Sequence, residues 1–96
     1  MAKIYVGGPM RGYKDLNFPA FNKAAQDLTD QMWEVINPVD LNPDPNADYI
    51  ECMRKDIAAL TTCHAIYLLK GWENSDGANA EYQVARMLDL KIYFEV

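Results

Sequence analysis

The chain has 96 residues, of which 50% are hydrophobic and 11% aromatic, and its formal net charge is −5. This length supports one domain, and the apolar content excludes a disordered or fibrous protein. The negative net charge and the absence of a run of basic residues argue against a surface that binds polymeric DNA or RNA. No apolar stretch is long enough to span a membrane.

Strands and helices alternate along the chain. Short runs rich in β-branched and aromatic residues predict strands at Lys3–Val6, Glu34–Asn37, Ala65–Leu69 and Lys91–Phe94. Apolar residues at helical spacing predict helices at Phe18–Met32, Tyr49–Leu60 and Gly77–Leu90. Proline, asparagine and aspartate predict a loop over residues 38–47, and Gly71–Asp76 forms a second predicted loop.

Each of the last two helices is expected to bury one apolar stripe. Asp48 is a candidate N-cap of the helix at Tyr49–Leu60, and Glu51 occupies the capping-box position. The inward residues predicted for this helix are Ile50, Met53, Ile57 and Leu60. Those predicted for the last helix are Ala80, Val84, Ala85 and Leu88.

The order β-α-β-α-β-α-β with right-handed crossovers predicts a single α/β domain over residues 1–96. We expect a three-layer α/β/α sandwich of the flavodoxin or Rossmann-like kind, with a four-stranded parallel sheet in the order 2-1-3-4. Ligands of such sheets bind beyond the carboxyl ends of the strands, where the strand order reverses. The loops that leave strands 1 and 3, Gly7–Gly12 and Gly71–Gly77, are also the most glycine-rich segments. We therefore expect the ligand between them.

Three residues of these loops are candidates for binding an anion. The helix that starts near Gly77 offers free N–H groups and the positive end of its dipole. Ser75 offers a hydroxyl group, and Arg11 offers a fork of donors. The simpler alternatives are that Ser75 or Asp76 only caps the helix and that Arg11 is a solvated surface charge.

Glu81 is the candidate nucleophile, because it lies about one turn into the last helix, near the predicted crevice. The helix end is expected to keep its carboxylate ionised, although a solvent-facing glutamate is the alternative. Tyr5 could hydrogen-bond this carboxylate or serve only in packing. By default, Asp56 is an exposed helix residue and His64 a hydrogen-bonded residue at a strand edge.

The remaining chemistry-bearing residues give weaker indications. Trp72 is expected either to stack on a base or to cover the sheet or a subunit contact. Cys52 and Cys63, with one histidine in the chain, fit no zinc spacing. We expect reduced thiols, no metal and no cofactor.

Because the first strand is predicted almost at the N-terminus, we expect no signal peptide and a cytoplasmic protein, or one in the host cytoplasm if the chain is phage-encoded. A chain this short leaves apolar surface uncovered as a monomer. We therefore expect a homodimer or a larger homo-oligomer.

Three segments carry a resemblance to a known family: Ile4–Gly12, Asp56 with Cys63–Ile66, and Gly71–Glu81. They resemble the nucleoside 2-deoxyribosyltransferase-like superfamily, and more closely its short, often phage-encoded branch of the DUF4406 type. The resemblance covers nearly the whole chain. The last segment is the most specific, because a serine and a glycine precede the glutamate by six and four residues.

The resemblance implies that Glu81 is the glycosyl-accepting nucleophile, that Tyr5 positions it and that Asp56 faces the ligand. In the deoxynucleoside 5′-monophosphate N-glycosidases of the superfamily, the equivalent serine and arginine bind the phosphate. Pro9 and His64 depart from those hydrolases, which carry serine and aspartate there. The predicted substrate-binding residues are Gly8, Arg11, Trp72, Ser75 and Gly77.

The predicted ligand is therefore a small nucleotide or nucleoside. The predicted activity is that of an N-glycosidase or deoxyribosyltransferase that acts on (deoxy)nucleoside 5′-monophosphates through a glycosyl-enzyme intermediate at Glu81. Asp56, with a raised pKa, is the candidate proton donor to the leaving base. The alternative is a protein that senses or sequesters a nucleotide without turnover.

Overall fold

Four parallel strands form one sheet in the computed structural model, which describes all 96 residues. The strands are β1 (Lys3–Gly7), β2 (Glu34–Ile36), β3 (Ala65–Leu68) and β4 (Lys91–Phe94). Their order in the sheet is β2-β1-β3-β4, which confirms the predicted topology. The pairing register places Tyr5 beside Ile66 and Gly7 beside Leu68, so β1 and β3 end at the same edge.

Four helices connect the strands: α1 (Phe18–Asp30), α2 (Pro38–Leu41), α3 (Tyr49–Leu60) and α4 (Asp76–Met87). Helix α3 has the predicted bounds, and the Asp48 carboxylate accepts a hydrogen bond from the Glu51 N–H at 3.1 Å. Helices α1 and α4 end earlier than predicted. The left-handed backbone of Met32 (φ 74°) and Asp89 (φ 58°) follows their ends and cannot continue a helix.

Helix α2 was not predicted, because the prolines of residues 38–47 indicated a loop throughout. The Asn37 side chain accepts a hydrogen bond from the Val39 N–H at 3.1 Å, and Pro38 occupies the first helical position. Proline is favoured there because its missing N–H has no partner inside the helix. The buried Asn37 also donates to the Asn22 side chain at 3.0 Å, which ties α2 to α1.

The two faces of the sheet carry separate hydrophobic clusters. On one face, α1 packs on β1 and β3; the buried residues are Ile4, Val6, Phe21, Ala24, Leu28, Ala65 and Leu69. On the other face, α3 and α4 pack on the same strands; the buried residues are Tyr5, Leu60, Cys63, Ile66, Leu68 and Ala85. The central strands are thus covered on both sides, as expected for a parallel sheet.

The predicted inward stripes were partly wrong. Ile50 (53% exposed), Leu88 (49% exposed) and Ala80 face solvent. In α4 the buried positions are 78, 81 and 85, so Glu81 lies on the buried face of the helix, where an apolar pattern predicts no charged residue. Asp56 likewise lies on the buried face of α3. An acidic residue on the buried face shifts the apparent apolar stripe, and both acidic residues belong to the cavity described below.

No helix in the structure combines the length and the apolar character needed to cross a lipid bilayer.

Candidate functional site

A cavity of about 450 Å³ opens at the carboxyl ends of β1 and β3, where the strand order predicted a ligand site. Both predicted loops contribute to its wall. The rest of the wall comes from α3, which the resemblance indicated through Asp56, and from the segment between α2 and α3, which the sequence had not indicated. The predicted residues that line the cavity are Gly8, Arg11, Asp56, Ser75, Gly77 and Glu81.

Glu81 lies at the inner end of this cavity. It occupies the second turn of α4 and is only 4% exposed. The predicted contact with Tyr5 is present: the phenol donates a 2.5 Å hydrogen bond to Oε2 of Glu81. The other oxygen, Oε1, has no hydrogen-bond partner, and no fully buried side-chain oxygen in the structure lacks one. Oε1 is therefore accessible from the cavity.

Gly7 makes room for this carboxyl group. A Cβ atom at position 7 would lie 3.1 Å from Oε1 of Glu81 and 3.2 Å from Cδ2 of Leu68. The glycine-rich sequence after β1 suggested a ligand loop, but Gly7 itself is the last residue of the strand. Its small size lets the helix bring a carboxyl group against the end of the sheet.

The expectation that the helix end keeps Glu81 ionised is wrong. Burial raises the pKa of Glu81 to about 8, while the hydrogen bond from Tyr5 lowers it and the Asp56 charge raises it. The helix dipole acts mainly within the first turn, whereas Glu81 follows one turn later in a poorly solvated position. In the ligand-free protein, burial therefore favours the neutral form of the Glu81 carboxyl group.

Asp56 lies in the same cavity and is 7% exposed, so the default interpretation as a solvated helix residue is wrong. The Asn42 side-chain amide donates to Oδ1 of Asp56 at 2.8 Å. Oδ2 has no partner and, like Oε1 of Glu81, is accessible. Burial raises the pKa of Asp56 to about 6, against the lowering effects of the Asn42 hydrogen bond and the Lys55 charge.

The outer end of the cavity carries its only cation. The guanidinium carbon of Arg11 lies 3.7 Å from the centroid of the Tyr49 ring, a cation–π contact that leaves the N–H donors without an acidic partner. Ser75 caps α4: its Oγ accepts from the Ala78 N–H at 3.2 Å. Because the oxygen is the acceptor in this bond, the hydroxyl proton stays available for a ligand.

Two of the predicted ligand-binding glycines have packing roles. A Cβ atom on Gly8 would come within 2.8 Å of Cβ of Leu69. One on Gly77 would lie 3.1 Å from Sδ of Met53 and 3.2 Å from Oη of Tyr49. Both glycines allow close contacts between elements that form the cavity wall.

The loop after β1 crosses the cavity rim in an unusual conformation. Asp15, Leu16 and Asn17 have φ angles of 52°, 53° and 61°, in the left-handed region that non-glycine residues rarely enter. The Asn17 side chain donates to the Pro9 carbonyl oxygen at 2.9 Å, which links the two ends of the loop. This contact holds Arg11 and Leu16 at the rim.

Trp72 and His64 lie outside the cavity. The Trp72 ring packs against Tyr82 and Phe94, with centroid distances of 4.8 Å and 5.9 Å, which agrees with its alternative role of covering the sheet. His64 is exposed, and its Nδ1 accepts a hydrogen bond from the Lys3 N–H at 2.9 Å. This is the strand-edge role expected from the sequence.

Sequence reasoning missed Asn42, Tyr49 and Cys52, which line the cavity between Asp56 and Arg11. Asn42 follows α2 and lies among prolines, and no local pattern distinguishes it from a turn residue. Both cysteines are free thiols, and burial raises the pKa of each.

Comparison with known proteins identifies a family. No curated protein shows significant sequence similarity to the chain. The sequence model of the family described as "Domain of unknown function (DUF4406)" matches residues 2–94, which include every strand, every helix and every residue of the cavity. The chain therefore belongs to the DUF4406 family.

Proposed function

We propose that this protein cleaves or exchanges the N-glycosidic bond of a (deoxy)nucleoside 5′-monophosphate, with Glu81 as the nucleophile and Asp56 as the proton donor. The observation that carries the proposal is the pair of buried carboxyl groups in one cavity. Each has one oxygen fixed by a hydrogen bond and one that is accessible. Enzymes that cleave glycosidic bonds usually use two carboxyl groups whose environments differ.

The pair holds the number of protons that the reaction needs. With pKa values of about 8 for Glu81 and about 6 for Asp56, the two groups share one proton between pH 6 and pH 8. In the free protein, burial favours the neutral form of both carboxyl groups. A sugar with positive charge developing at C1′ beside Glu81 favours its ionised form, and a base packed against Asp56 favours the neutral acid.

The reaction then proceeds in two balanced steps. Oε1 of Glu81 forms a bond to C1′ as the bond from C1′ to the base nitrogen breaks, and the base takes the proton of Asp56. In the second step, water attacks C1′, the bond to Glu81 breaks, and Asp56 regains a proton from the water. Attack by a second base in place of water gives transfer.

The outer end of the cavity suits a phosphate group. Arg11 has no acidic partner, the Ser75 hydroxyl proton is free, and both residues line the same cavity as the first residues of α4. These groups are remote from the reacting bond and would supply binding energy for orientation. Asp44 and Asp76 also line the cavity, and their negative charges oppose a phosphate, so the proposed site depends on Arg11. The resemblance to the nucleoside 2-deoxyribosyltransferase-like superfamily, carried by Gly71–Glu81, supports the same assignment.

The test is incubation with ribo- and deoxyribonucleoside 5′-monophosphates and the matching nucleosides, followed by chromatography for free base. We expect base release from at least one monophosphate, with an optimum between about pH 6 and 8. Glu81→Gln keeps the shape of the side chain and should reduce the rate by roughly 10³-fold or more.

Glu73→Gln is the matched control, because Glu73 is exposed and lies outside the cavity. It should leave the rate unchanged. Full activity of Glu81→Gln would exclude Glu81 as the nucleophile, and no base release from any nucleotide would contradict the activity as a whole.

The second candidate function is nucleotide binding without turnover. It is favoured by the burial of Glu81, which removes the charge that a nucleophile needs in the free protein. Thermal-shift measurements with nucleotides, followed by chromatography of the same mixtures, separate the two functions. A stabilised protein with intact nucleotide supports binding alone, whereas released base supports catalysis.

The expected cytoplasmic homo-oligomer stays a prediction. Beside α1 lies a second cavity of about 490 Å³ with the aromatic side chains of Trp33, Tyr67 and Tyr93 in its wall. Apolar surface of this kind is compatible with a contact between copies. Light scattering of the purified protein measures the oligomeric state, and a monomer at all concentrations would contradict the prediction.

A further inference from the structure

The proton donor of the proposed reaction is held by a residue that has no chemical role of its own. Asn42 lines the cavity and donates from Nδ2 to Oδ1 of Asp56 at 2.8 Å. The same Nδ2 lies 3.4 Å from the Pro38 carbonyl oxygen. These two contacts fix the amide plane relative to Asp56, so only the amide nitrogen, and not the amide oxygen, faces the carboxyl group.

Helix α2 sets the position of Asn42. Its first turn is fixed by Asn37, which caps α2 and also donates to the Asn22 side chain on α1. The backbone N–H of Asn42 donates to the Pro38 carbonyl oxygen at 2.9 Å and closes the helix. A chain of hydrogen bonds thus runs from α1 through α2 to the carboxyl group on α3.

We propose that Asn42 is a positioning residue, which directs the acidic proton of Asp56 to Oδ2, the oxygen that is accessible from the cavity. An amide N–H needs an acceptor, and Oδ1 serves it best when it carries no proton. The neutral acid therefore bears its hydrogen on Oδ2, from which it can reach a bound base. The catalytic meaning of this inference rests on the proposed function, but the hydrogen bond and its effect on Asp56 do not.

Asn42 also limits how strongly burial suppresses the ionisation of Asp56. A hydrogen bond from an amide stabilises the carboxylate more than the neutral acid, so it lowers a pKa that burial raises. The titratable groups around Asp56 are Glu81 on α4, Tyr5 on β1, and Cys52 and Lys55 on α3 itself. Of these, only Lys55 favours the charged carboxylate, so Asn42 provides the main opposition to burial.

The test is a carboxyl ¹³C NMR titration of the full chain, with the Asp56 signal identified by its loss in Asp56→Asn. Asn42→Leu preserves the size of the side chain and removes the donor. We expect the pKa of Asp56 to rise by about one pH unit in this variant. Asn42→Ala is titrated in parallel and should give a smaller rise, because water can enter the space left by the amide.

Asn46→Ala is the matched control, since Asn46 belongs to the same segment but lies outside the cavity and its side chain makes no hydrogen bond. It should leave the Asp56 titration unchanged. An Asp56 pKa that stays constant or falls in Asn42→Leu overturns the inference. If that variant does not fold, a constant or lowered pKa in Asn42→Ala overturns it.

Activity supplies a second measurement if the wild type releases base. Loss of the donor should lower kcat about tenfold, with little change in KM. It should also move the alkaline limb of the pH profile of kcat to higher pH, because Asp56 carries the proton in the proposed nucleotide complex and would keep it to a higher pH. An unchanged kcat and an unchanged pH profile would overturn the catalytic role of Asn42. If no nucleotide is cleaved, the proposed function fails, and the NMR titration still decides the role of Asn42.

Discussion

The two ends of the cavity differ in solvation and in charge. The inner end holds Glu81 and Asp56, both more than nine-tenths buried, with hydrogen bonds from Tyr5 and Asn42. The outer end holds Arg11, which is exposed and stacked on an aromatic ring. Burial dominates at the inner end and raises both carboxyl pKa values.

Because of this difference, the two ends of the cavity are suited to different parts of the proposed reaction. Proton placement depends on poor solvation, which the inner end provides. Capture of an anion from water depends on an accessible cation, which the outer end provides. Substitutions at the inner end should therefore change stability and its pH dependence, and those at the outer end should change binding alone.

The largest effect is expected from Glu81→Gln on the pH dependence of stability. Folding raises the pKa of Glu81 from 4.5 to about 8, so the folded state binds this proton more tightly than the unfolded state does. The resulting stabilisation is complete below about pH 4.5 and is lost as the pH rises to 8.

Urea denaturation at pH 5 and pH 8 measures the change. The Gln variant should lose less stability over this interval than the wild type, by an amount on the order of a few kcal/mol. Glu73→Gln should behave as the wild type does. Parallel pH profiles for the wild type and Glu81→Gln would contradict the burial argument.

Gly7→Ala should destabilise the inner end by about 1–3 kcal/mol, because the new methyl group would press on the Glu81 carboxyl group and the Leu68 side chain. Chemical denaturation gives the free energy of unfolding. A double-mutant cycle with Glu81→Ala supplies the control. If the penalty of Gly7→Ala is no smaller once the carboxyl group is removed, then Glu81 is not the group that position 7 accommodates.

Arg11→Ala should weaken nucleotide monophosphate binding about tenfold, as expected for the loss of one charge-assisted contact. Titration calorimetry with a monophosphate and its nucleoside measures the effect, which should be confined to the monophosphate. Arg86→Ala is a close control, because Arg86 also lies over a tyrosine ring, that of Tyr82, but outside the cavity. Equal losses in the two variants would remove Arg11 from the phosphate site.

His64→Ala should have the smallest effect. It removes the acceptor for the exposed Lys3 N–H and should lower the free energy of unfolding by about 1 kcal/mol or less. Nucleotide binding should not change, since His64 lies outside the cavity. A tenfold loss of binding in this variant would show that the cavity described here does not include the whole site.

The amino-acid sequence by itself determined the strand order, the start of α3 at its Asp48 cap and the edge of the sheet where the cavity opens. Each of these follows from local patterns, such as apolar periodicity and capping side chains, together with the general handedness of crossovers. The residues alone left the contact between Tyr5 and Glu81 open, and the family resemblance implied it; the structure contains it, although 76 positions separate them in the chain.

Only the tertiary structure decided which faces of α3 and α4 are buried, that Trp72 lies outside the cavity, and that Asn42 reaches Asp56. It also reversed the expected protonation of Glu81. These properties depend on the solvation of a side chain and on its partners from other elements. A local sequence pattern gives information about neither. The sequence of an amphipathic helix does not show whether a carboxyl group on it faces water or the end of a sheet. The pKa of that group differs between the two positions, because burial disfavours the charged form.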